Sequence, residues 1–228
     1  MIAQDPKIKL EELSLPVTEI YPAIQGEGRY TGFPCVIVRL GGCNLRCHWC
    51  DTKHSYATDT QSSISEIIKA ADIAKQNMAL ITGGEPLIHE NTLHLLENLS
   101  NVFKYILLET NGSASVKNIP RNTHITMDIK CPTSWTSGDT NNYENIFHLK
   151  ESDEIKFVVE TKEDFEWVNE ISTKYNLFER FEYGPIVQPV FRVMDEKKLA
   201  MHILETNKNF RMGLQMHKYI YPANSEKV

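Results

Sequence analysis

The chain has 228 residues, 41% of them hydrophobic, enough for one substantial core and so for a single catalytic domain spanning residues 1–228. Its formal net charge of -6 argues against nucleic acid as a direct partner, and no apolar run reaches the roughly 18 to 20 residues of a membrane span. With no continuous apolar stretch in Met1–Leu15, the protein is expected to be soluble and cytoplasmic.

Taken in chain order, residues 1–16 read as an N-terminal extension, and the first strand falls at Val36–Leu40. Apolar residues recurring at three and four mark a helix over Ser63–Gln76, then a strand at Ala79–Ile81 and a helix at His89–Leu99. Strands at Tyr105–Leu108 and Ile125–Ile129 come next. The stretch Ser134–Asn145, rich in Ser, Thr, Asn and Gly, reads as a mobile loop or lid. A strand at Glu154–Val159, a helix at Glu163–Tyr175, a strand at Pro185–Val187 and a helix at Asp195–Asn207 follow, and residues 223–228 read as a frayed tail. Alternating strand and helix implies parallel strands with crossover helices, an α/β sheet either open or curled. Ligands in such folds gather where strands end and loops begin. Gly41–Lys53, Thr82–Pro86, Glu109–Ser113, Lys130–Thr133 and Gln188 all fall at such places, so one pocket is expected to collect them.

There are five cysteines, and Cys43, Cys47 and Cys50 fall within eight residues as C-x-x-x-C-x-x-C. An odd number, so tightly bunched, fits a metal site better than a disulfide framework. Soft thiolates suit zinc or an iron–sulfur cluster. A structural zinc needs a fourth ligand, which here must come from His48, His54 or Cys35. A three-cysteine [4Fe–4S] cluster instead leaves one iron open to a cofactor or substrate. The segment Thr82-Gly83-Gly84-Glu85-Pro86 lets the backbone approach a ligand closely and offers carboxylate acceptors to an ammonium group.

The cysteine spacing, with Trp49 directly before the third cysteine, resembles the signature of the radical SAM superfamily, and the Gly-Gly-Glu segment resembles its second motif. That resemblance implies a partial TIM-like β/α barrel of about six parallel strands. It also implies S-adenosylmethionine (SAM), chelated by the open iron and cleaved on reduction. Ala23-Ile24-Gln25-Gly26-Glu27-Gly28, Arg39 and Cys50-Asp51-Thr52 narrow the likeness to the 7-carboxy-7-deazaguanine synthases, from about Glu19 to about Pro222. These are ring-contracting lyases of queuosine and 7-deazapurine biosynthesis. They convert 6-carboxy-5,6,7,8-tetrahydropterin to 7-carboxy-7-deazaguanine and ammonia.

The likeness carries over position by position. It implies Cys43, Cys47 and Cys50 as cluster ligands and Thr52 as a ligand of Mg²⁺, a hard cation that prefers oxygen. It implies SAM contacts from Trp49, Cys50, Asp51, Gly84, Glu85, Asn111, Lys130, Cys131, Pro132 and Gln188. Ile24, Gln25 and Gly26 would line the pterin site with Glu27 on its amino-pyrimidine edge, Thr82 would touch substrate, and Arg39 would grip the carboxylate bidentately. Leu214–Lys218 resembles the family's closing motif, with Tyr219–Pro222 reaching back over the pocket, whereas Val190-Phe191 departs from the commoner pattern. A homodimer and a flavodoxin- or ferredoxin-like electron donor are implied by the family alone. The rival readings are a glycyl-radical activase, which often carries extra cluster cysteines where this chain has only Cys35 and Cys131 to spare, and a zinc-stabilised binding module without catalysis.

Overall fold

The computed structural model describes residues 9–134 and 141–221. Its strands are β1 (Ser14–Ile24), β2 (Pro34–Leu40), β3 (Gln61–Ser63), β4 (Met78–Gly83), β5 (Tyr105–Thr110), β6 (Thr123–Asp128), β7 (Glu154–Val159), β8 (Ile186–Pro189) and β9 (Arg211–Met212). They form one curled sheet in the order β3-β1-β2-β4-β5-β6-β7-β8-β9, parallel from β2 onward and left unclosed between its two edges. The architecture is the partial barrel expected, with one difference. The hairpin of β1 and β2 and the short β3 are antiparallel.

Side chains alternate across a strand, and here both faces are filled. Val36, Val38 and Leu40 of β2, Ala79 and Ile81 of β4, Ile106 and Leu108 of β5, and Ile155, Phe157 and Val159 of β7 all join the large core beneath the helices. The alternate residues Cys35, Ile37, Met78, Leu80 and Leu107 pack with Tyr21 in a second apolar cluster inside the barrel. That inner cluster stops one residue pair short of the strand ends. Above it Arg39, Thr82, Glu109, Asp128, Lys156 and Gln188 take over the inward positions, forming a polar rung.

The helices are α1 (Ile64–Ile73), α2 (Thr92–Leu99), α3 (Lys162–Lys174), α4 (Leu177–Arg180), α5 (Glu196–Glu205) and α6 (His217–Ile220). Ser63 with Glu66 and Thr161 with Asp164 form reciprocal capping boxes that start α1 and α3, and Asp195 caps α5. No helix among the described residues is long and apolar enough to cross a membrane.

Two expectations need correction. The N-terminal extension is not separate up to residue 16, because Ser14–Pro16 pair with β3 and Leu15 is buried. β1 escaped the sequence pattern because Pro16 and Pro22 interrupt it; Pro22 is tolerated because β3 pairs only with Ser14–Pro16 and leaves that edge of β1 open beside it. Of the expected loop Ser134–Asn145, the two described ends are held in place. Ser134 is buried, Asn141 Nδ2 donates to the Lys130 carbonyl at 2.9 Å, and Asn145 donates to the carbonyls of Gly112 and Ala114. Residues 135–140, Pro222 and 223–228 lie outside the described residues.

Candidate active site

A cavity of about 440 Å³ opens at the C-terminal ends of the parallel strands, within the range that holds small-molecule ligands. Cys43, Cys47, Cys50, Trp49, Asp51, Thr52, Gly84, Asn111, Lys130 and Gln188 line it, together with Ile24, Gln25, Gly26, Glu27, Arg39 and Thr82. Segments more than 160 residues apart thus meet on one surface, as the strand-end reading requires. The structure puts Glu85, Cys131 and Pro132 outside the lining. Cys131 is buried in the large core. Glu85 is fully buried, and its carboxylate accepts from the amides of Leu87 (2.9 Å) and Asn111 (2.5 Å) and the Thr110 hydroxyl (2.7 Å).

The two glycine-containing motifs lock together. Gly84 N donates to the Leu40 carbonyl at 3.1 Å and Glu85 N to the Gly42 carbonyl at 2.8 Å, so the end of β4 pins the entry of the cysteine loop. A Cβ on Gly84 would meet the Gly42 carbonyl oxygen and come within 2.9 Å of the Cys43 Cβ. Gly83 sits at a φ of 142°, which a larger side chain resists. His89 reaches the Gly41 carbonyl at 2.7 Å, and Asn44 bonds Ser113 and Asn111 at 2.8 and 3.2 Å, tying the loop to the one after β5.

The thiols are held as uncommitted ligands. Burial pushes Cys43 up and Cys47 up to about 11, Lys130 pulling the other way on both. Such thiols keep their protons until a metal centre displaces them. Among the described residues no three His, Cys, Asp or Glu side chains converge on a single ion position. Three thiols on the wall of one cavity suit a cluster that brings its own sulfide and leaves one iron open. Buried atoms that lack a partner mark the same wall: Trp49 Nε1, Asp128 Oδ1 and Gln188 Oε1. A ligand bearing both donors and acceptors satisfies them. The donor set, the glycine cradle and these orphaned atoms fit a [4Fe–4S] cluster with SAM.

Sequence reading missed part of the floor. Lys156, nearly buried, bonds Glu27 at 2.5 Å and lies 3.6 Å from Asp128. Burial opposes its charge, yet Glu27 and Asp128 hold its pKa well above the usual lysine range. Gln215 donates to Glu27 (2.9 Å) and to Asp51 (3.0 Å). Lys218 completes the closing segment by bonding Asp51 at 2.6 Å. Burial acts to raise the Asp51 carboxyl, but Lys218 and Gln215 bring it down to about 2. Glu109 is the other member, accepting from Thr82 Oγ1 at 3.1 Å and Gln25 Nε2 at 3.3 Å. A lysine inside the otherwise apolar run Ile155–Val159 and a glutamate in phase with inward Leu107 were the available signals. His217 also lines the cavity, and a Cβ on Gly26 would strike its ring.

Arg39 is inward and nearly buried, but it is not waiting unpaired. Its Nε donates to Glu19 at 2.6 Å and its Nη2 to the Tyr21 hydroxyl at 3.2 Å. Glu19 faces Arg39 directly across the β1–β2 hairpin and also lies 3.4 Å from His54 of the cysteine loop. Tyr219 and Tyr221 do not line the cavity; Tyr219 bonds Glu196 instead, and Gln215, His217 and Lys218 close that side.

Residues 37–132 match the Radical SAM superfamily model. The chain is 35% identical to a 7-carboxy-7-deazaguanine synthase of Koribacter versatilis, an alignment covering 94% of this chain and all of the relative. A 7-carboxy-7-deazaguanine synthase of Methanospirillum hungatei is 34% identical, covering 90% of this chain and 85% of the relative. Among solved structures, QueE from Escherichia coli superposes with a TM-score of 0.73 at 26% identity, over 90% of this chain and 95% of that one. Streptococcus suis SuiB bound to precursor peptide SuiA shares the fold at a TM-score of 0.59 and 14% identity, over 77% of this chain and 47% of that one.

Proposed function

The chain belongs to the 7-carboxy-7-deazaguanine synthase family, and from that premise we propose how its own residues carry out the family's reaction. It is a radical SAM lyase that converts 6-carboxy-5,6,7,8-tetrahydropterin to 7-carboxy-7-deazaguanine and ammonia in queuosine biosynthesis. The observation that carries the reading is the meeting of three cysteine thiols and the Gln25-Gly26-Glu27 segment in one cavity. Bound there, a [4Fe–4S] cluster and SAM supply the hydrogen-atom transfer that starts the ring contraction.

Cys43, Cys47 and Cys50 would hold the cluster, and Gly84, carrying no side chain, lets the end of β4 close against Gly42 and Cys43 at the start of their loop. Trp49, Asn111, Lys130 and Gln188 bound the SAM side, an assignment supported by their place in the lining and by the unpartnered Trp49 Nε1 and Gln188 Oε1. Lys130 stands 4.9 Å from the centre of the Trp49 ring, which fixes that wall. On the substrate side Glu27, held ionised by Lys156, accepts from the amino-pyrimidine edge. Arg39 presents its remaining N–H groups to the carboxylate, with Glu19 and Tyr21 setting the plane of the fork. Thr52, which lines the cavity, would offer a hydroxyl oxygen to Mg²⁺, a hard cation that prefers oxygen ligands. A homodimer and a flavodoxin- or ferredoxin-like donor belong to the same reading by family membership.

Anaerobically reconstituted protein, given SAM, reductant, Mg²⁺ and 6-carboxytetrahydropterin, is expected to yield 7-carboxy-7-deazaguanine, measured by mass spectrometry. Deoxyadenosine without the deazapurine would keep the radical chemistry and remove the substrate. Neither compound, from protein with verified iron and sulfide, would remove both.

A further inference from the structure

The polar rung contains one carboxyl whose chemistry no role above uses. Glu109 ends the inward face of β5 and lines the cavity. The parallel register sets Arg39 opposite Thr82, and Ile81 opposite Leu108 sets Thr82 opposite Glu109 one step further on. The three therefore stand side by side across β2, β4 and β5, at the roughly 4.8 Å spacing of paired strands.

Its partners are all donors or distant charges. Gln25 Nε2 and Thr82 Oγ1 point hydrogen at it, while Lys156, the nearest cation, is engaged by Glu27 and Asp128. No ion pair to Glu109 exists among the described residues, and a buried carboxylate without one is costly. Burial holds its carboxyl above the ordinary range, the Glu27 charge adding to this and Lys156 opposing it. Cys35, in the apolar cluster beneath the rung, is a thiol pushed up to about 12 by burial. Glu27, ion-paired with Lys156, and Glu109, with no ion pair among the described residues, thus flank one substrate site with shifts of opposite direction, the arrangement that separates base from acid.

We propose that Glu109 is the general acid that protonates the departing nitrogen when ammonia is released. The inference rests on the substrate assigned above. Substrate and product differ by ammonia alone, so after contraction one C–N bond breaks with its electron pair on nitrogen. The carbon losing that nitrogen also bears the carboxylate, which Arg39 holds two strands from Glu109. The Glu109 carboxyl supplies the proton that completes ammonia. The C–H bond of the neighbouring ring carbon breaks, its electrons form the ring double bond, and its proton returns to the Glu109 carboxylate. No oxidant or reductant is consumed, and Lys156 stabilises the carboxylate in the interval.

The test compares reconstituted parent and Glu109→Gln enzyme in the same anaerobic assay, following substrate, ammonia and the ring-contracted amine. That amine has the mass of the substrate and is separated by chromatography. Gln keeps the shape of the side chain and removes only the carboxyl, so iron content and unfolding midpoint are expected to hold. Substrate disappearance should persist within about threefold while ammonia release falls on the order of 100-fold, the amine accumulating. Glu109→Asp, which keeps the acid but shortens its reach, should restore part of the release, and it serves alone if Glu109→Gln fails to fold. Release at the parent rate, a raised KM with unchanged kcat, or loss of substrate turnover before contraction would each overturn the assignment. A parent enzyme that makes no deazapurine would instead sink the substrate reading.

Discussion

The cysteine loop and the polar rung beneath it hold their groups by opposite means. In the loop, backbone does the positioning: Gly84 N and Glu85 N clasp Leu40 and Gly42, Ser55 accepts from Gly42 N at 2.8 Å, and His89 takes the Gly41 carbonyl. The thiols receive little from the protein, a 3.4 Å contact from Leu45 N to Cys43 being the shortest. In the rung the side chains already satisfy one another, Arg39 with Glu19, Lys156 with Glu27, Thr82 with Glu109. A site awaiting a metal centre has to leave its ligands free and place its stability in the backbone. A site awaiting an organic acid can hold its charges paired and exchange partners.

Gly84→Ala breaks the first half of that comparison and carries the largest effect. The added methyl meets the Gly42 carbonyl and the Cys43 side chain, and backbone cannot give way as a long side chain does. Reconstituted protein is expected to lose most of its iron and sulfide, and with them all product, while the rung and its folding stay intact. Full iron in the variant would show that the clasp does not shape the loop.

The difference between the regions also explains what could be read from the chain. Cys43, Cys47, Cys50 and Gly83-Gly84 are close in sequence because one loop and one strand end build that wall, so their spacing is diagnostic. The parallel strands were visible through continuous apolar runs bounded by turns, which strands buried on both faces produce. Half of the rung, Arg39, Thr82 and Gln188, came through the family likeness, as did Glu27; Glu109, Asp128 and Lys156 did not, because they are brought together only by strand order, and single charges in three separate strands carry no joint signature. β1 lay hidden behind two prolines, and with it Glu19, the partner that Arg39 needs.

Lys156→Met tests the second half. The replacement fills the space but leaves Glu27 and Asp128 facing each other without their cation. Breaking a buried pair by removing one partner costs roughly 3 to 5 kcal/mol. Denaturant unfolding at pH 7 should show that loss with cysteine-bound iron retained. The Glu27 carboxyl is held below its ordinary range, burial opposing and Lys156 prevailing. Its contribution in the parent is therefore present above the unfolded carboxylate value of about 4.3 and is lost as pH falls through the lowered folded value. The gap between variant and parent should narrow below about pH 4. A gap independent of pH would place the cost in packing instead.

Arg39→Lys has the smallest effect and sharpens the contrast most. Lysine still reaches Glu19 across the hairpin, so the fold and the cluster loop lose little. It cannot bond Glu19 and Tyr21 through one edge while offering a second edge to the cavity, because an ammonium has no fork. The substrate carboxylate then competes with Glu19 for one charge instead of sharing a plane with it. KM for the tetrahydropterin is expected to rise about tenfold, roughly 1.4 kcal/mol, with iron content and unfolding midpoint unchanged. Glu19→Gln separates the two duties of the pair: it keeps a hydrogen-bond acceptor for the Arg39 Nε but removes the competing charge. If the substrate displaces nothing, that variant should bind it no better than the parent; if partners are exchanged, it should bind it more tightly.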